Sequence, residues 1–277
     1  MVVRMQRKID IAIGRVTVVI TLIAFLLTLW IVGRVLLFDT FVVSTSSMEP
    51  ALQSGDMIIV NKTIIGPRIY MDFHFDRRGT RLRSHRMRGV RRLSHNDIII
   101  FNFPFHDGHI SFVINQVYVK RCIALPGDSI GITDGIYRNN NYDSPLGDSM
   151  MQRRLANMSE ECIDSTVLRK KHFDKHFSWT IKNMPLIYVP RKGDIISLTP
   201  KEAYLYKCVL EWETGKSITF DWERASVYAD GKPLRKHKFL HNYYFVAGDN
   251  VFDSQDSRYL GVIPEEYIVG VVGCVIH

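Results

Sequence analysis

Residues 118–128 read YVKRCIALPGD, an apolar run that ends in a Pro-Gly turn. A run of this composition, closed by a turn pair, predicts a β-strand. Side chains alternate between the two faces of a strand, so Lys120 shares a face with Tyr118 and Cys122. A lysine in such a strand usually lies on a solvated face. If this face is buried instead, the loss of hydration lowers the lysine pKa and produces a neutral amine that can deprotonate a serine.

A turn pair followed by an apolar or alternating run recurs along the chain. It occurs at residues 55–60 (GDMIIV), 96–101 (NDIIIF), 127–130 (GDSI) and 193–198 (GDIISL), and residues 227–234 (VYADGKPL) add a hairpin signal at their Asp-Gly turn. Helical periodicity is weak after residue 40. We therefore predict a mainly β fold, in which a folded antiparallel sheet or partial barrel forms the catalytic domain from residues 39–128 and 242–277. Residues 129–241 are richer in polar residues, which indicates an inserted cap subdomain of β or α+β structure.

Residues 16–33 (VTVVITLIAFLLTLWIVG) contain no charged residue. At about 1.5 Å rise per residue, a helix of this length spans roughly 27 Å, which is close to the hydrocarbon thickness of a bilayer. Four more apolar residues extend the run if Arg34 reaches toward the headgroups, so we predict a single membrane-spanning helix over residues 16–38. A cleaved signal peptide has a shorter apolar core followed by small residues. The basic tail of residues 1–15 favours a cytoplasmic N-terminus.

The formal net charge is +8, and residues 77–92 alone contain eight arginines and no acidic residue. This segment belongs to an arginine-rich insertion at residues 68–95. Two interpretations stay open: a solvated loop, or a loop that rests on anionic headgroups with about 1 kcal/mol contributed by each base. The lack of aromatic residues among the arginines disfavours nucleic-acid binding.

The four cysteines show no C-x-x-C spacing, which argues against a zinc site. Buried thiols and a Cys162–Cys208 disulfide both agree with the sequence. Residues 248–261 (GDNVFDSQDSRYLG) are dense in Asp, Asn and Ser, which suits a calcium site in composition. They lack EF-hand spacing, so we expect a hydrogen-bonded loop that braces a site.

Residues 44–52 (STSSMEPAL) follow the predicted anchor and, alone, indicate only a turn. In this order behind an anchor, residues 44–52, 118–128 and 248–261 resemble the S-x-S-M-x-P-T-L, Y-x-K-R-x-x-x-L-P-G-D and G-D-N-x-x-x-S-x-D-S-R motifs of bacterial type I signal peptidases. Residues 96–101 resemble the G-D-I-V-V-F motif that lies between the first two. The resemblance covers residues 41–62, 95–128 and 245–272, about a third of the chain.

This resemblance implies a membrane-bound serine endopeptidase that cleaves signal peptides from exported preproteins after Ala-x-Ala. It makes Ser47 the nucleophile and Lys120 the general base of a Ser-Lys dyad that works through an acyl-enzyme. Ser254 matches the serine that hydrogen-bonds the lysine amine. Thr45 matches a hydroxyl residue that donates to the oxyanion, beside the backbone N–H of Ser47.

Asp256 and Arg258 match an ion pair with a structural role. The apolar residues that match substrate-pocket positions are Phe41, Val43, Met48, Leu52, Ile58, Ile100, Tyr118 and Val119. These pockets accept small side chains at the −1 and −3 positions of the cleavage site.

Several positions depart from the family pattern. Ala51 replaces the usual threonine, Asn96 the usual glycine and Leu260 the usual aromatic residue, and residues 251–253 (VFD) replace Arg-Asp-Asn. None of these changes removes a proton-transfer group, so we expect activity to be retained.

The resemblance also implies partners and a location. The partners are signal-peptide-bearing preproteins, the lipid bilayer and the export translocon, with no nucleic acid and no metal or organic cofactor. The expected location is the bacterial cytoplasmic membrane, with a single pass, a cytoplasmic N-terminus and a periplasmic catalytic domain.

Two other classes of protein remain as alternatives. A self-cleaving repressor with the same dyad carries a DNA-binding helix-turn-helix at its N-terminus, where this chain has an apolar span. A non-enzymatic, lipid-binding membrane protein accounts for the anchor and the charge, but leaves the three motifs unexplained.

Overall fold

The computed structural model describes residues 2–71, 84–106, 108–113, 116–168 and 177–277. The chain begins with helix α1 (Val2–Leu36), and its Ile11–Leu36 part is long and apolar enough to cross a membrane. The predicted long apolar helix is therefore confirmed. It ends at Leu36 and not at residue 38, because Phe38 already pairs with Asn61 in the sheet.

Short strands and helices follow. The strands are β1 (Phe38–Val42), β2 (Met57–Asn61), β3 (Arg68–Tyr70), β4 (Ser84–Arg86), β5 (Ile98–Asn102), β6 (Phe105–His106), β7 (His109–Ile110), β8 (Val117–Ala124), β9 (Ser129–Thr133), β10 (Ile136–Asn139), β11 (Met184–Tyr188), β12 (Ile195–Ser197), β13 (Ile218–Asp221), β14 (Ser226–Ala229), β15 (Lys232–Pro233), β16 (Lys236–Lys238), β17 (Tyr243–Ala247), β18 (Ile263–Pro264) and β19 (Ile268–Ile276). The further helices are α2 (Ser149–Asn157), α3 (Ser165–Leu168), α4 (Pro200–Leu205), α5 (Lys207–Thr214) and α6 (Ser257–Leu260), with 3₁₀ turns at Ser46–Met48, Glu160–Cys162 and Glu265–Tyr267.

A seven-stranded antiparallel sheet organises the molecule, in the order β1-β2-β19-β5-β8-β17-β18. It curls into a half-barrel, and register shifts interrupt the pairs β8–β17, β2–β19 and β5–β19. Such irregularities bend and twist a strand, which helps a sheet to curl. The mainly β fold expected from the sequence is confirmed.

Smaller sheets and helices fill the chain between β8 and β17. The sheets are β10-β9-β11, β12-β16 and β13-β14-β15, and helices α2 to α5 lie in the same stretch. Strands β2, β5, β9 and β12 each follow a predicted turn pair, and β14 pairs with β15 in the predicted hairpin. These local predictions are confirmed.

Two apolar clusters lie on opposite faces of the main sheet. Alternation along β5 sends Ile99 into the larger cluster and Ile100 into the smaller one. The smaller cluster also contains Met48 from the 3₁₀ turn, so the turn that carries Ser47 is held down by apolar burial.

The end of helix α1 is tied to the sheet by charged groups. Arg34 pairs with Asp39, and the Lys62 Nζ donates to Asp39 at 3.0 Å and to the carbonyl of Arg34 at 2.8 Å. Although partial burial raises the pKa of Asp39, these two bases outweigh it and hold that pKa below its ordinary value. The seven-stranded sheet is thereby fastened directly to the end of the apolar helix.

The arginine-rich insertion contains the antiparallel pair of β3 and β4, and residues 87–95 follow β4. The first four of its eight clustered arginines lie outside the described residues. Arg86 is partly buried and donates to the carbonyls of Gly66, Glu265 and Ile268. Neither of the two interpretations of this segment, a solvated loop or a loop on anionic headgroups, applies to Arg86, because its guanidinium hydrogen-bonds the chain's own backbone.

Candidate active site

Ser47 lies in the 3₁₀ turn Ser46–Met48 and is only 8% exposed. The turn is joined to the loop after β17: the backbone N–H of Asn250 donates to the Ser47 carbonyl at 3.2 Å, and the Asn250 side chain donates to the Ser46 carbonyl at 3.3 Å. Two motifs that are about 200 residues apart in sequence therefore form one rigid loop pair.

The Lys120 side chain projects from β8 and is 3% exposed, so the face of β8 that carries it is buried. Its Nζ donates to Ser47 Oγ at 2.6 Å and to the carbonyl of Val119 at 2.9 Å. Burial lowers the pKa of Lys120 to about 8, opposed by Asp256 and assisted by Arg258. A large fraction of this amine is therefore neutral near pH 8 and able to accept a proton.

Thr45 lies two residues before Ser47, and its Oγ1 is 3.3 Å from Ser47 Oγ. Its hydroxyl is exposed to the groove, where it can donate to an oxygen that forms beside Ser47.

The expected hydrogen bond between Ser254 and Lys120 is not present among the described residues. The Ser254 Oγ donates to Asp256 Oδ2 at 2.7 Å, and the hydrogen bonds of Lys120 go to Ser47 and Val119. The Ser254 hydroxyl proton is directed to Asp256 because a carboxylate is a stronger acceptor than an amine. Ser254 still lies against the site, because a Cβ at Gly248 would be 2.3 Å from both Ser254 Oγ and the Ser47 carbonyl.

Asp256 and Arg258 form a buried ion pair, each 1% exposed. The guanidinium donates twice to the carboxylate, at 2.9 and 2.8 Å, and once to the Val251 carbonyl at 3.0 Å. Burial opposes ionisation of Asp256, but Arg258 and the N–H of Gly248 hold its pKa below the ordinary value. Both groups are therefore charged in the folded state.

A second brace, Arg121 with Asp249, was not among the residues singled out from the sequence. The Arg121 guanidinium donates twice to the Asp249 carboxylate, at 2.7 and 2.6 Å, and links β8 to the end of β17. The sequence signal for this ion pair was that each partner stands in a motif: Arg121 follows Lys120, and Asp249 follows Gly248. Of the three carboxylates that suited a calcium site in composition, Asp249 and Asp256 are each paired with an arginine, and Asp253 accepts a hydrogen bond from Ser46.

An open groove of about 780 Å³ contains the Ser47 and Lys120 side chains. The predicted pocket residues that line it are Phe41, Val43, Met48, Ile100, Tyr118 and Val119. Leu52 and Ile58 do not line it: they are 1% and 0% exposed and pack beneath it in the smaller apolar cluster. Alternation in β2 turns Ile58 inward, so it supports the groove without reaching its surface.

All four cysteines lie in the described part of the chain and are free. Cys162 and Cys208 do not form the disulfide that the sequence left open. Among the described residues, no group of three or more His, Cys, Asp and Glu side chains could hold a metal ion.

Comparison with known proteins agrees with this geometry. A family model described as "Signal peptidase, peptidase S26" matches residues 15–276. The chain is 26% identical to signal peptidase I of Buchnera aphidicola subsp. Baizongia pistaciae, over 86% of this chain and 69% of that protein. It is 25% identical to signal peptidase I of Aquifex aeolicus, over 84% of this chain and 73% of that protein. For signal peptidase I of Pseudomonas aeruginosa, the identity is 24% over 87% of this chain and 65% of that protein.

A crystal structure of a signal peptidase I from Enterococcus faecalis aligns with 67% of this chain and 100% of that chain, at 18% identity and a TM-score of 0.31. A likeness this low adds nothing to the assignment, which rests on the family model.

Ser47 and Lys120 are buried and in hydrogen-bond contact on a curled sheet that follows an apolar helix, and this arrangement fits a membrane-anchored serine peptidase. The chain belongs to the signal peptidase family, peptidase S26. The resemblance stated from the motifs alone is confirmed.

Proposed function

We propose that this chain cleaves signal peptides from exported preproteins, with Ser47 as nucleophile and Lys120 as general base. The observation that carries the proposal is the 2.6 Å contact between the Lys120 Nζ and the Ser47 Oγ, in a buried site where the pKa of the amine falls to about 8. Nucleophile and base are already within the distance that proton transfer requires.

The first step transfers the Ser47 hydroxyl proton to the neutral Lys120 amine while Oγ attacks the scissile carbonyl carbon. The carbonyl oxygen becomes an oxyanion, which accepts hydrogen bonds from the Thr45 hydroxyl and the Ser47 backbone N–H. The protonated amine then donates its proton to the departing nitrogen as the C–N bond breaks. The signal peptide stays on Ser47 Oγ as an ester, and the mature chain leaves with a new amino terminus.

In the second step the neutral Lys120 amine accepts a proton from a water molecule that attacks the ester. Collapse of this intermediate returns the proton to Ser47 Oγ and frees the signal peptide as a carboxylic acid. Ser254 acts on this cycle indirectly, because it donates to Asp256, whose charge raises the Lys120 pKa.

The groove supports a preference for small residues before the cleaved bond. Its walls near Ser47 are formed by side chains such as Val43, Ile100 and Val119, which also pack on the apolar cluster beneath. Side chains held in this way make shallow pockets that accept alanine and exclude bulky residues by overlap. This is the basis on which we assign Ala-x-Ala specificity.

We place the N-terminal tail in the cytoplasm and the sheet on the opposite side of the bacterial cytoplasmic membrane. The support is the excess of basic residues in the first fifteen positions, at the start of helix α1, and the attachment of Arg34 to the sheet through Asp39 and Lys62. This attachment holds the groove near the outer surface, where a signal peptide emerges from the bilayer. The bilayer and the export translocon are the expected partners there.

The test is cleavage of a purified preprotein with an Ala-x-Ala site by the detergent-solubilised full chain. Wild type cleaves it, Ser47→Ala and Lys120→Met do not, and all three proteins unfold cooperatively. Lys192→Met, which removes an exposed lysine outside the groove, is the matched control and keeps wild-type activity. Cleavage by Lys120→Met at the wild-type rate would remove the lysine from the mechanism.

A further inference from the structure

A second cavity, of about 540 Å³, adjoins the catalytic groove. We call it the methionine cleft and define it by Met150, Met151, Met158 and Phe252, with Glu49 and Asp253 at its rim. The three methionines belong to helix α2 and its C-terminal cap, and Phe252 belongs to the loop after β17. Nothing in the proposed cleavage steps uses this cavity.

The methionine cleft neighbours the groove, and Asp253 lines both cavities. Asp253 accepts a hydrogen bond of 2.8 Å from the Ser46 hydroxyl, next to the nucleophile. Glu49 is two residues from Ser47, so its Cα lies within about 7.6 Å of the Ser47 Cα, because consecutive Cα atoms are about 3.8 Å apart. A chain extended through the groove past Ser47 therefore reaches the cleft within a few residues.

The two cavities border different parts of the nucleophile turn. The groove is lined by residues 41–48 and by β8, with Ser54, Ile100, Asp253 and Gln255 at its edges, whereas the cleft is lined by Glu49 and Pro50, which directly follow the turn, and by helix α2. If the groove holds the residues before the scissile bond, the cleft lies where the residues after it leave. This reasoning rests on the proposed function.

The lining of the cleft indicates the chemistry of its occupant. Met151, Met158 and Phe252 are half-buried and pack on a third apolar cluster, so the floor is fixed, whereas Met150 is 74% exposed and forms a movable wall. Unbranched, polarisable methionines adapt to differently shaped apolar partners.

The charges around the cleft disfavour an acidic occupant. The three carboxylates among its lining residues are Glu49, Asp148 and Asp253, against one base, Arg154, which lies over the Phe252 ring at 5.6 Å. The resulting excess of negative charge repels a carboxylate from the substrate.

We infer that the methionine cleft binds an apolar side chain from the first residues of the mature chain, on the leaving side of the scissile bond. The site favours phenylalanine, methionine or leucine there over serine, and serine over aspartate. Phe252 and Asp253 are also positions at which this sequence departs from the motif that it resembles.

The experiment uses peptides with a constant Ala-x-Ala segment and one varied residue, Phe, Ser or Asp, at each of the second to fifth positions after the cleaved bond. For the detergent-solubilised wild type, we expect kcat/KM to be about fivefold to tenfold higher for Phe than for Ser at one of these positions, because apolar burial discriminates by this order. Asp is cleaved more slowly than Ser at the same position.

The variant Met150→Ser removes the exposed wall. Its preference for Phe over Ser, measured as the ratio of the two kcat/KM values within this variant, falls below about twofold, which is less than the discrimination that one buried methylene provides. The matched control is Met71→Ser, at a methionine that is 70% exposed and lies outside both cavities; it keeps the wild-type preference.

The outcomes separate this inference from the proposed function. If the wild type cleaves none of the peptides, the proposed function fails. If it cleaves all of them at equal rates, or if Met150→Ser keeps the preference for Phe, only the assignment of the cleft is overturned.

Discussion

Two buried bases, Lys120 and Arg258, lie in the same site and respond to burial in opposite ways. They are 3% and 1% exposed, and burial lowers the pKa of each. For Arg258 a carboxylate in direct contact outweighs burial and raises the pKa, whereas Lys120 donates to a hydroxyl and a carbonyl, and its pKa falls to about 8. A buried base is therefore made reactive here by the absence of a carboxylate among its hydrogen-bond partners.

The largest expected effect comes from replacing the reactive base by one that cannot lose its proton. Lys120→Arg should lower kcat/KM by about 10⁴-fold or more, because arginine stays protonated and the acceptor of the Ser47 proton is lost. Steady-state cleavage of an Ala-x-Ala peptide measures it. Arg258→Lys, which keeps a charged partner for Asp256, is the comparison and should retain much more activity. Equal losses in the two variants would contradict the distinction between them.

Removing the paired base should destabilise the protein. Arg258→Met leaves the buried Asp256 carboxylate uncompensated, so we expect the free energy of unfolding to fall by about 3–5 kcal/mol. Denaturant unfolding of the detergent-solubilised chain at pH 7 gives the value. The double variant Asp256→Leu/Arg258→Met should recover most of the loss, since it leaves no unpaired charge. If Arg258→Met unfolds like the wild type, the ion pair does not have the structural role assigned to it.

Removing the reactive base should do the opposite and stabilise the fold. The Lys120 pKa is about 8 in the folded protein against an ordinary value of 10.5, so below pH 8 the folded state carries the full cost of a buried charge. A difference of this size corresponds to about 3 kcal/mol, an upper estimate for the stability that Lys120→Met gains at pH 7.

The pH dependence of the stability gained by Lys120→Met provides a control for this prediction. Between pH 8 and 10.5 the folded state binds fewer protons than the unfolded state, so the wild type becomes more stable as the pH rises and the gap to Lys120→Met closes. Unfolding measured at pH 7, 9 and 10.5 follows the change. A gap that is constant with pH would show that Lys120 is not buried as a charged group at neutral pH.

The smallest expected effect is the change in wild-type kcat/KM when the pH changes by one unit. Since the neutral amine is the active form, kcat/KM should rise about tenfold for each pH unit below pH 8 and level off above it. Peptide cleavage from pH 5.5 to 9.5 gives the profile, and Lys192→Met should show the same midpoint. A kcat/KM that still rises about tenfold per pH unit between pH 8 and 9.5 would mean that the amine is solvated and keeps its ordinary pKa of 10.5.

Much of the fold follows from local patterns. The Gly-Asp and Asn-Asp pairs before β2, β5, β9 and β12 specify turns, and the apolar runs behind them specify strands. The pairing order of the main sheet could not be predicted from local patterns. Strand β19 inserts between β2 and β5, and no local pattern encodes contacts between strands so far apart in the chain.

In the candidate active site, too, the sequence predicted some features and only the structure shows the others. The motifs brought Ser47, Lys120 and Thr45 to attention, and the structure puts their polar groups side by side. They did not show that Ser254 donates to Asp256, nor that Arg121 holds Asp249, because each motif offers several donors and acceptors. Which of them meet depends on the three-dimensional path of two loops.

The sequence by itself determined the apolar helix, the strand-forming segments and the identities of the reacting groups, since these depend on composition and on residues close together in the chain. The tertiary structure decided the chemical state of those groups. The Lys120 amine loses its hydration only when Ser47, 73 residues away, and the loop that carries Asp256 close over it, because desolvation and charge act through space and not along the chain.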